Sequence, residues 1–96
     1  MLTNHQKRHL KALAHAIRPV VIIGSNGLTE AVTQEIDHAL GHHELLKIRI
    51  NAADRTARQH IVTQITTRLG TDLVQQIGHV VIVFRRNPEA PRISLD

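Results

Sequence analysis

The tetrapeptide Gly24-Ser25-Asn26-Gly27 follows directly on the apolar run Val20 to Ile23 and is the feature of this chain best suited to chemistry. Two glycines let a backbone turn sharply and approach a ligand closely. Amides presented there, ahead of a helix N-terminus, make a ready site for a phosphate oxygen. The plain alternative is an ordinary strand-to-helix turn, in which glycine pairs are common. The loop has neither the G-x-x-x-x-G-K-[ST] pattern of a P-loop nor the third glycine of a dinucleotide fingerprint, which disfavours nucleotide hydrolysis and a Rossmann cofactor.

A second candidate is electrostatic. At about 100° per residue, Lys7, Arg8, Lys11, His15 and Arg18 fall in a sector of roughly 100° on a first helix, while Leu10, Leu13 and Ile17 fall in one of roughly 60°. One stripe is expected to face a core and the other to be cationic. A solvated helix face is usually charged, but no acidic residue occurs between positions 4 and 18. The stripe therefore lacks the Glu-Lys pairing of a merely soluble face. Lys47 and Arg49, together with Arg85 and Arg86, could extend a basic surface, although sequence does not show whether they converge.

His5 and His9, like His38 and His42, are four apart, a spacing that can set two imidazoles on one metal. Neither pair has a third ligand at suggestive spacing, and exposed polar histidines are the simpler reading. Ser25 and Ser94 are the only serines, and neither stands in a G-x-S-x-G elbow. Glu30, Glu35 and Asp37 read as solvating a helix, with Glu30 also near the positive end of its dipole. No acid/base pair is recognisable, so no catalytic residue, metal or cofactor is expected.

These residues need elements to position them. Thr3 followed by Gln6 fits a capping box that starts helix 1 near Asn4, and Pro19 stops that helix. Val20 to Ile23, β-branched throughout and without alternation, suits a central strand covered on both faces. Leu28, Val32, Ile36 and Leu40 recur every fourth residue in helix 2, with Thr29 as its N-cap and Gly41 as its left-handed stop. Glu44 to Ala52 alternates, with Leu46, Ile48 and Ile50 on one side and Lys47 and Arg49 on the other, which predicts a half-buried strand. Asp54 caps helix 3, whose ladder Ala57, Ile61, Ile65 and Leu69 closes at Gly70. Leu73 to Ile77 and Val80 to Arg85 flank Gly78-His79, a pair compatible with a type II′ turn, so these two strands should pair antiparallel. Pro88 and Pro91 cannot donate to a ladder and predict a loosely held tail over 87–96. The order α-β-α-β-α-β-β implies an α/β fold, a mixed four-stranded sheet with three helices, in which helices 2 and 3 share a face.

With 96 residues, 42% of them hydrophobic and 21% charged, the chain suits a single compact domain with its core within about residues 2–86. It has no cysteine, which removes disulfides, thiolate zinc sites, iron-sulfur clusters and cysteine nucleophiles together. The longest apolar runs are four and five residues, against roughly 20 needed to cross a bilayer. Charges stand where a signal peptide needs its apolar stretch, so a cytoplasmic address is expected. Lys and Arg number 12 against 8 acidic residues, a net charge of +4 with histidine neutral, which favours a polyanionic partner. Phe84 is the only residue among Phe, Trp and Tyr. That excludes the RRM, cold-shock and OB platforms, which stack bases on two or more exposed rings.

Three linked segments, AIRPVVIIGSNGLTEAV, HHELLKIRI and IGHVVIVFRR, in this order and spacing, resemble the CRM domain and its free-standing bacterial form, the YhbY family; the likeness runs from about Leu2 to Arg86. The resemblance implies a compact α/β domain with four strands and three helices, similar to the C-terminal domain of translation initiation factor three. It also implies an RNA-binding protein without catalytic activity. Free-standing bacterial members associate with precursors of the large ribosomal subunit, and plant relatives assist intron splicing in organelles, so ribosomal RNA in a precursor large subunit is the expected partner. Gly24 and Gly27 match the family's GxxG loop, the device with which KH-type domains clamp a nucleic-acid backbone, and Ser25 and Asn26 match its variable positions. Many CRM loops carry Lys where Ser25 stands, which here shifts the contact to backbone amides and the helix 1 stripe. The expected RNA-binding set is thus Gly24, Ser25, Asn26 and Gly27 with Lys7, Arg8, Lys11, Arg18, Lys47, Arg49, Arg85 and Arg86. The alternative, from another class, is a protein-interaction module whose basic face meets a ribosomal protein or assembly factor.

Overall fold

A computed structural model describes residues 2–95; Met1 and Asp96, the ends of the expected domain, lie outside the described residues. Seven elements follow in the expected order: α1 (Asn4–Ala14), β1 (Val21–Ile23), α2 (Glu30–His43), β2 (Leu45–Ile50), α3 (Arg55–Leu69), β3 (Asp72–Ile77) and β4 (Val80–Phe84). The strands form one mixed sheet in the order β1-β2-β4-β3. β1 and β2 run parallel across the α2 crossover, while β4 pairs antiparallel with both β2 and β3. Two antiparallel steps make β3 parallel to β2, so β4 is inserted between the two strands that α3 connects. No helix among the described residues is long and apolar enough to cross a membrane.

Local chemistry sets the helix starts. Thr3 Oγ1 accepts the Gln6 N–H at 3.1 Å while Gln6 Oε1 accepts the Thr3 N–H at 2.9 Å, the reciprocal capping box. Thr29 Oγ1 accepts from the Val32 N–H at 3.2 Å and Asp54 Oδ1 from the Ala57 N–H at 2.8 Å. Each such cap stabilises its helix by about 1 kcal/mol. Gly70 ends α3 at φ 62°, and in the β3–β4 hairpin Gly78 takes φ 56° whereas His79 stays out of the left-handed region, as a type II′ turn requires.

The sheet is covered on both faces. Ile36 and Leu40 of α2 and Ile61, Val62 and Ile65 of α3 pack on Val21, Ile23, Leu46, Ile48, Ile50, Val81 and Val83. On the opposite face Leu10 and Ala14 of α1 pack on Leu45, Val74, Ile82 and Phe84.

Four expectations are corrected by this packing. α1 ends at Ala14, a turn before Pro19, and the amides of His15, Ala16 and Ile17 bond three residues back at 3.2–3.3 Å. The proline ring would clash with the carbonyl four residues before it and disfavours helical geometry at Arg18, so the helix unwinds before reaching it. Arg18 therefore leaves the stripe. Leu13 is 38% exposed, and the contact runs instead through Leu10 and Ala14. This turns the packed face by about 50° toward the cationic side and brings Lys7 and Lys11, both half-buried, to the rim of the sheet.

The second correction concerns β1, which is an edge strand rather than a central one. α1 lies chiefly over β2 and β3, and Ile22 is left 60% exposed. The third is Gly41, which lies inside α2; the left-handed residue that ends this helix is Glu44, at φ 60°. A Cβ at Gly41 would meet nothing within 4 Å. Gly41→Ala is accordingly expected to stabilise the protein by about 0.5–1 kcal/mol, read as a rise in Tm, and a fall would contradict the assignment.

The fourth concerns the tail. Glu44 is fully buried, and its carboxylate accepts the amides of Asn87 at 2.7 Å, Arg92 at 2.7 Å and Ile93 at 2.8 Å. Ile93 and Leu95 then pack beside the α1 cluster. Burial alone pushes the Glu44 carboxyl up, but the three amides and the nearby Arg86 outweigh it and hold it below the usual glutamate range. The segment expected to hang loose is tied to the junction of α2 and β2.

Candidate nucleic-acid interface

Gly27, at φ 70°, closes the 24–27 loop by donating its N–H to the Gly24 carbonyl at 3.0 Å, and the Thr29 N–H donates to the Gly27 carbonyl at 3.0 Å. Gly24, Ser25 and Asn26 are exposed. The amides of Ser25 and Asn26 have no acceptor among the described residues, so they are available to an oxygen from outside. Gly24 differs from Gly27: its φ is not positive, and a Cβ there would meet nothing within 4 Å. The fold itself does not call for glycine at this position.

The register Ile23↔Ile50 places the loop beside the β2–α3 turn, where the Asn51 N–H donates to the Ile23 carbonyl at 2.8 Å. The Ile50 N–H donates to the His79 carbonyl at 2.7 Å, and His79 Nδ1 lies 3.2 Å from the Ile50 carbonyl oxygen. Three connections, 24–27, 51–54 and 78–79, therefore occupy one end of the sheet. Between them lies a cavity of about 490 Å³ lined by Ser25, Asn51, Ala52, Ala53, Ala57, Ile61 and His79.

The cations expected from the sequence divide into three groups. On the face toward α1, strand register lines up Ile22, Arg49, Val80 and Ile77 as one cross-strand row leading from the loop. Arg49 Nε donates to Asn51 Oδ1 at 3.1 Å, which steers its guanidinium toward the loop end. One row back, Lys47, Lys11 and His15 border an open cavity of about 350 Å³ floored by Ile77, Val80 and Ile82. Lys7 lies one helical turn before Lys11. The loop, Arg49, Lys47, Lys11 and Lys7 thus follow one another along a single face. Arg8 is exposed on the outer side of α1, and Arg18 borders a separate hollow with Leu13, Pro19, His43 and Ile93.

Arg85 and Arg86 lie at the opposite end of the sheet, directly after Phe84, which pairs with the first residue of β2. The Arg85 guanidinium donates to Asp37 Oδ1 at 2.7 Å, the Asp37 carbonyl at 3.1 Å and the Leu69 carbonyl at 3.2 Å. It ties α2 to the end of α3. Arg86 acts on Glu44. The structure does not bring either to the loop. His38 and His42 meet edge-on, ring centroids 4.7 Å apart, and no group of three or more side chains suited to a metal assembles among the described residues.

Sequence reasoning passed over Arg55 and Arg58. Both stand in the opening turns of α3, where with Gln59, Gln76 and Gly78 they line a polar cavity of about 360 Å³. Their spacing of three on a helix started by Asp54 was a legible signal. The hairpin that completes the cavity comes from much later in the chain, and that proximity is not.

The CRS1/YhbY (CRM) domain profile matches residues 2–85. A Haemophilus influenzae protein named as an RNA-binding protein is 46% identical over 89 residues, covering 93% of this chain and 90% of that one. A Pseudomonas aeruginosa protein named as a probable RNA-binding protein is 40% identical over 88 residues, covering 92% and 85%. The solution structure of a Staphylococcus aureus protein, SAV1595, put forward as RNA-binding, superposes with a TM-score of 0.84 at 32% identity over the full length of both chains. The match across nearly the whole chain, the sheet order and the loop at the end of the parallel pair lead to one conclusion: the protein belongs to the CRS1/YhbY (CRM) domain family.

Proposed function

We propose that this protein binds structured RNA without catalysing a reaction on it, and that its target is ribosomal RNA in a maturing large subunit. The 24–27 loop meets the sugar-phosphate backbone through its amides, and Arg49, Lys47, Lys11 and Lys7 supply the attraction. The observation that carries this reading is Gly24, an exposed glycine that the backbone does not require. Such a residue permits close approach of a partner backbone. The names given to the relatives support RNA as the polymer, and a maturing ribosomal subunit as target would put the site of action in the cytoplasm.

Titrating protein into large-subunit rRNA fragments at several salt concentrations tests the proposal. The four phosphates that these cations would neutralise contribute about −3 to the slope of log K against log salt. Lys7→Glu with Lys11→Glu should weaken binding and flatten the slope without unfolding the domain, since both side chains sit at the rim of the sheet rather than in its core. Unchanged affinity would remove α1 from the site.

The protein-interaction reading has one specific observation in its favour, the apolar residues Ile22 and Ile77, 60% and 61% exposed in the row that contains Arg49. It expects protein-free rRNA not to bind, which the same titration decides.

A further inference from the structure

We propose that Arg55 and Arg58, with the turn of the β3–β4 hairpin, form a second phosphate site for the RNA strand that crosses the 24–27 loop. The inference rests on the RNA-binding reading above and adds a contact that reading does not contain.

The cavity of about 360 Å³ is lined by Arg55, Arg58, Gln59, Gln76 and Gly78. It contains no carboxylate. The Arg58 Nε is occluded from solvent and has no hydrogen-bond partner among the described residues. An occluded guanidinium N–H without an acceptor is costly, and folds normally supply one. No carboxylate among the described residues bonds it: Glu30 pairs with Arg68, Asp37 with Arg85, Asp54 caps its own helix, and Glu44 holds the tail. A turn of the half-buried Arg58 side chain would bring the Nε to an acceptor supplied by a partner. The planar fork of arginine suits the paired oxygens of a phosphodiester.

Position selects the phosphodiester of the same strand. Ala57 and His79 line the cavity that begins at Ser25, while their chain neighbours Arg58 and Gly78 line the arginine cavity. The two hollows therefore adjoin across the hairpin turn. A backbone held at the amides of Ser25 and Asn26 and continuing over His79 reaches Arg58 and Arg55 next. Gly78, at φ 56°, leaves that path without a side chain.

The test uses the full chain and one large-subunit rRNA fragment, with anisotropy titrations at several salt concentrations. Arg58→Gln should reduce the magnitude of the salt slope by about one, and Arg55→Gln with Arg58→Gln by about two, with affinity down about tenfold or more at moderate salt and circular dichroism unchanged. Arg58→Lys, which keeps the charge but loses the fork, should retain the slope and lose affinity by about threefold. Should Arg58→Gln not fold, the Arg58 Nε–H resonance of the wild-type protein decides: it should shift on addition of RNA, and an unmoved resonance overturns the site. Variants that bind with wild-type affinity and slope, while Gly24→Glu has lost RNA, would overturn the arginine site and leave the loop reading intact. Failure of the wild-type protein to bind RNA at low salt would overturn both.

Discussion

Glu44→Ala should lower stability by about 3 kcal/mol and release residues 87–95 from the body of the protein. The carboxylate is fully buried and accepts three backbone amides at 2.7–2.8 Å. Hydrogen bonds to a charged acceptor contribute about 1.5–3 kcal/mol each, and part is regained when the freed amides reach water. Ile93 and Leu95 would leave the α1 cluster at the same time. Urea denaturation gives the magnitude, and hydrogen exchange at the amides of Asn87, Arg92 and Ile93 gives the location. A stable variant with those amides still protected would contradict the role assigned to this carboxylate.

The same residue sits at φ 60°, where a non-glycine side chain costs about 1–2 kcal/mol. Glu44→Gly should therefore be less damaging than Glu44→Ala by about 1 kcal/mol, because it relieves the backbone while losing the same bonds. Acid behaviour follows from the depressed pKa. The unfolded chain binds the proton first, so the stabilising contribution is whole above the ordinary glutamate value of about 4.3. It is then lost as pH falls through the lower native value. The stability gap between wild type and Glu44→Gln should accordingly narrow on acidification; a gap independent of pH would argue that charge at this position is immaterial.

The second large effect is on binding alone. Gly24→Glu should reduce RNA affinity at least about tenfold, since bulk and negative charge both oppose an approaching phosphate, while Tm stays within about 2 °C of wild type. A side chain there has open space and no positive φ to contend with. Gly27→Asp is less clean. At φ 70° a side chain adds backbone strain of about 1–2 kcal/mol, so lost binding there mixes with lost stability. Unchanged affinity in Gly24→Glu would leave the exposed glycine without a function and take the loop out of the site.

What was legible in the sequence was local. The Thr3, Thr29 and Asp54 caps, the Gly70 stop and the Gly78 turn each depend on residues within one turn of each other, and the structure has them where the spacing puts them. The apolar ladder of α3, the alternation of β2 and the shared face of α2 and α3 likewise hold, and the structure sets both helices on Leu46, Ile48 and Ile50. Most of the misreadings depend on distant partners; the early end of α1 is the exception, set by Pro19 within the next turn. Val20 to Ile23 looked doubly buried because edge position is a property of the sheet, not of the strand. Gly41 looked like a helix end because the competing device, a glutamate bent into the left-handed region by three amides from the tail, is completed more than forty residues later. Arg85 looked like a surface cation, yet its partners Asp37 and Leu69 lie on two other elements. The loop of the candidate site was visible in four consecutive residues and Arg49 was in the expected set, whereas the strand register that sets Arg49 beside the loop and the hairpin that sets Arg55 and Arg58 near it were not.

The most direct test of the account is a side-by-side fluorescence-anisotropy titration of wild type and Gly24→Glu into a large-subunit rRNA fragment and a matched DNA duplex at three salt concentrations. The account predicts micromolar or tighter wild-type binding to the RNA that weakens with salt and is lost in a variant that remains folded. Equal binding by the two proteins, or no wild-type binding to RNA at low salt, would contradict it.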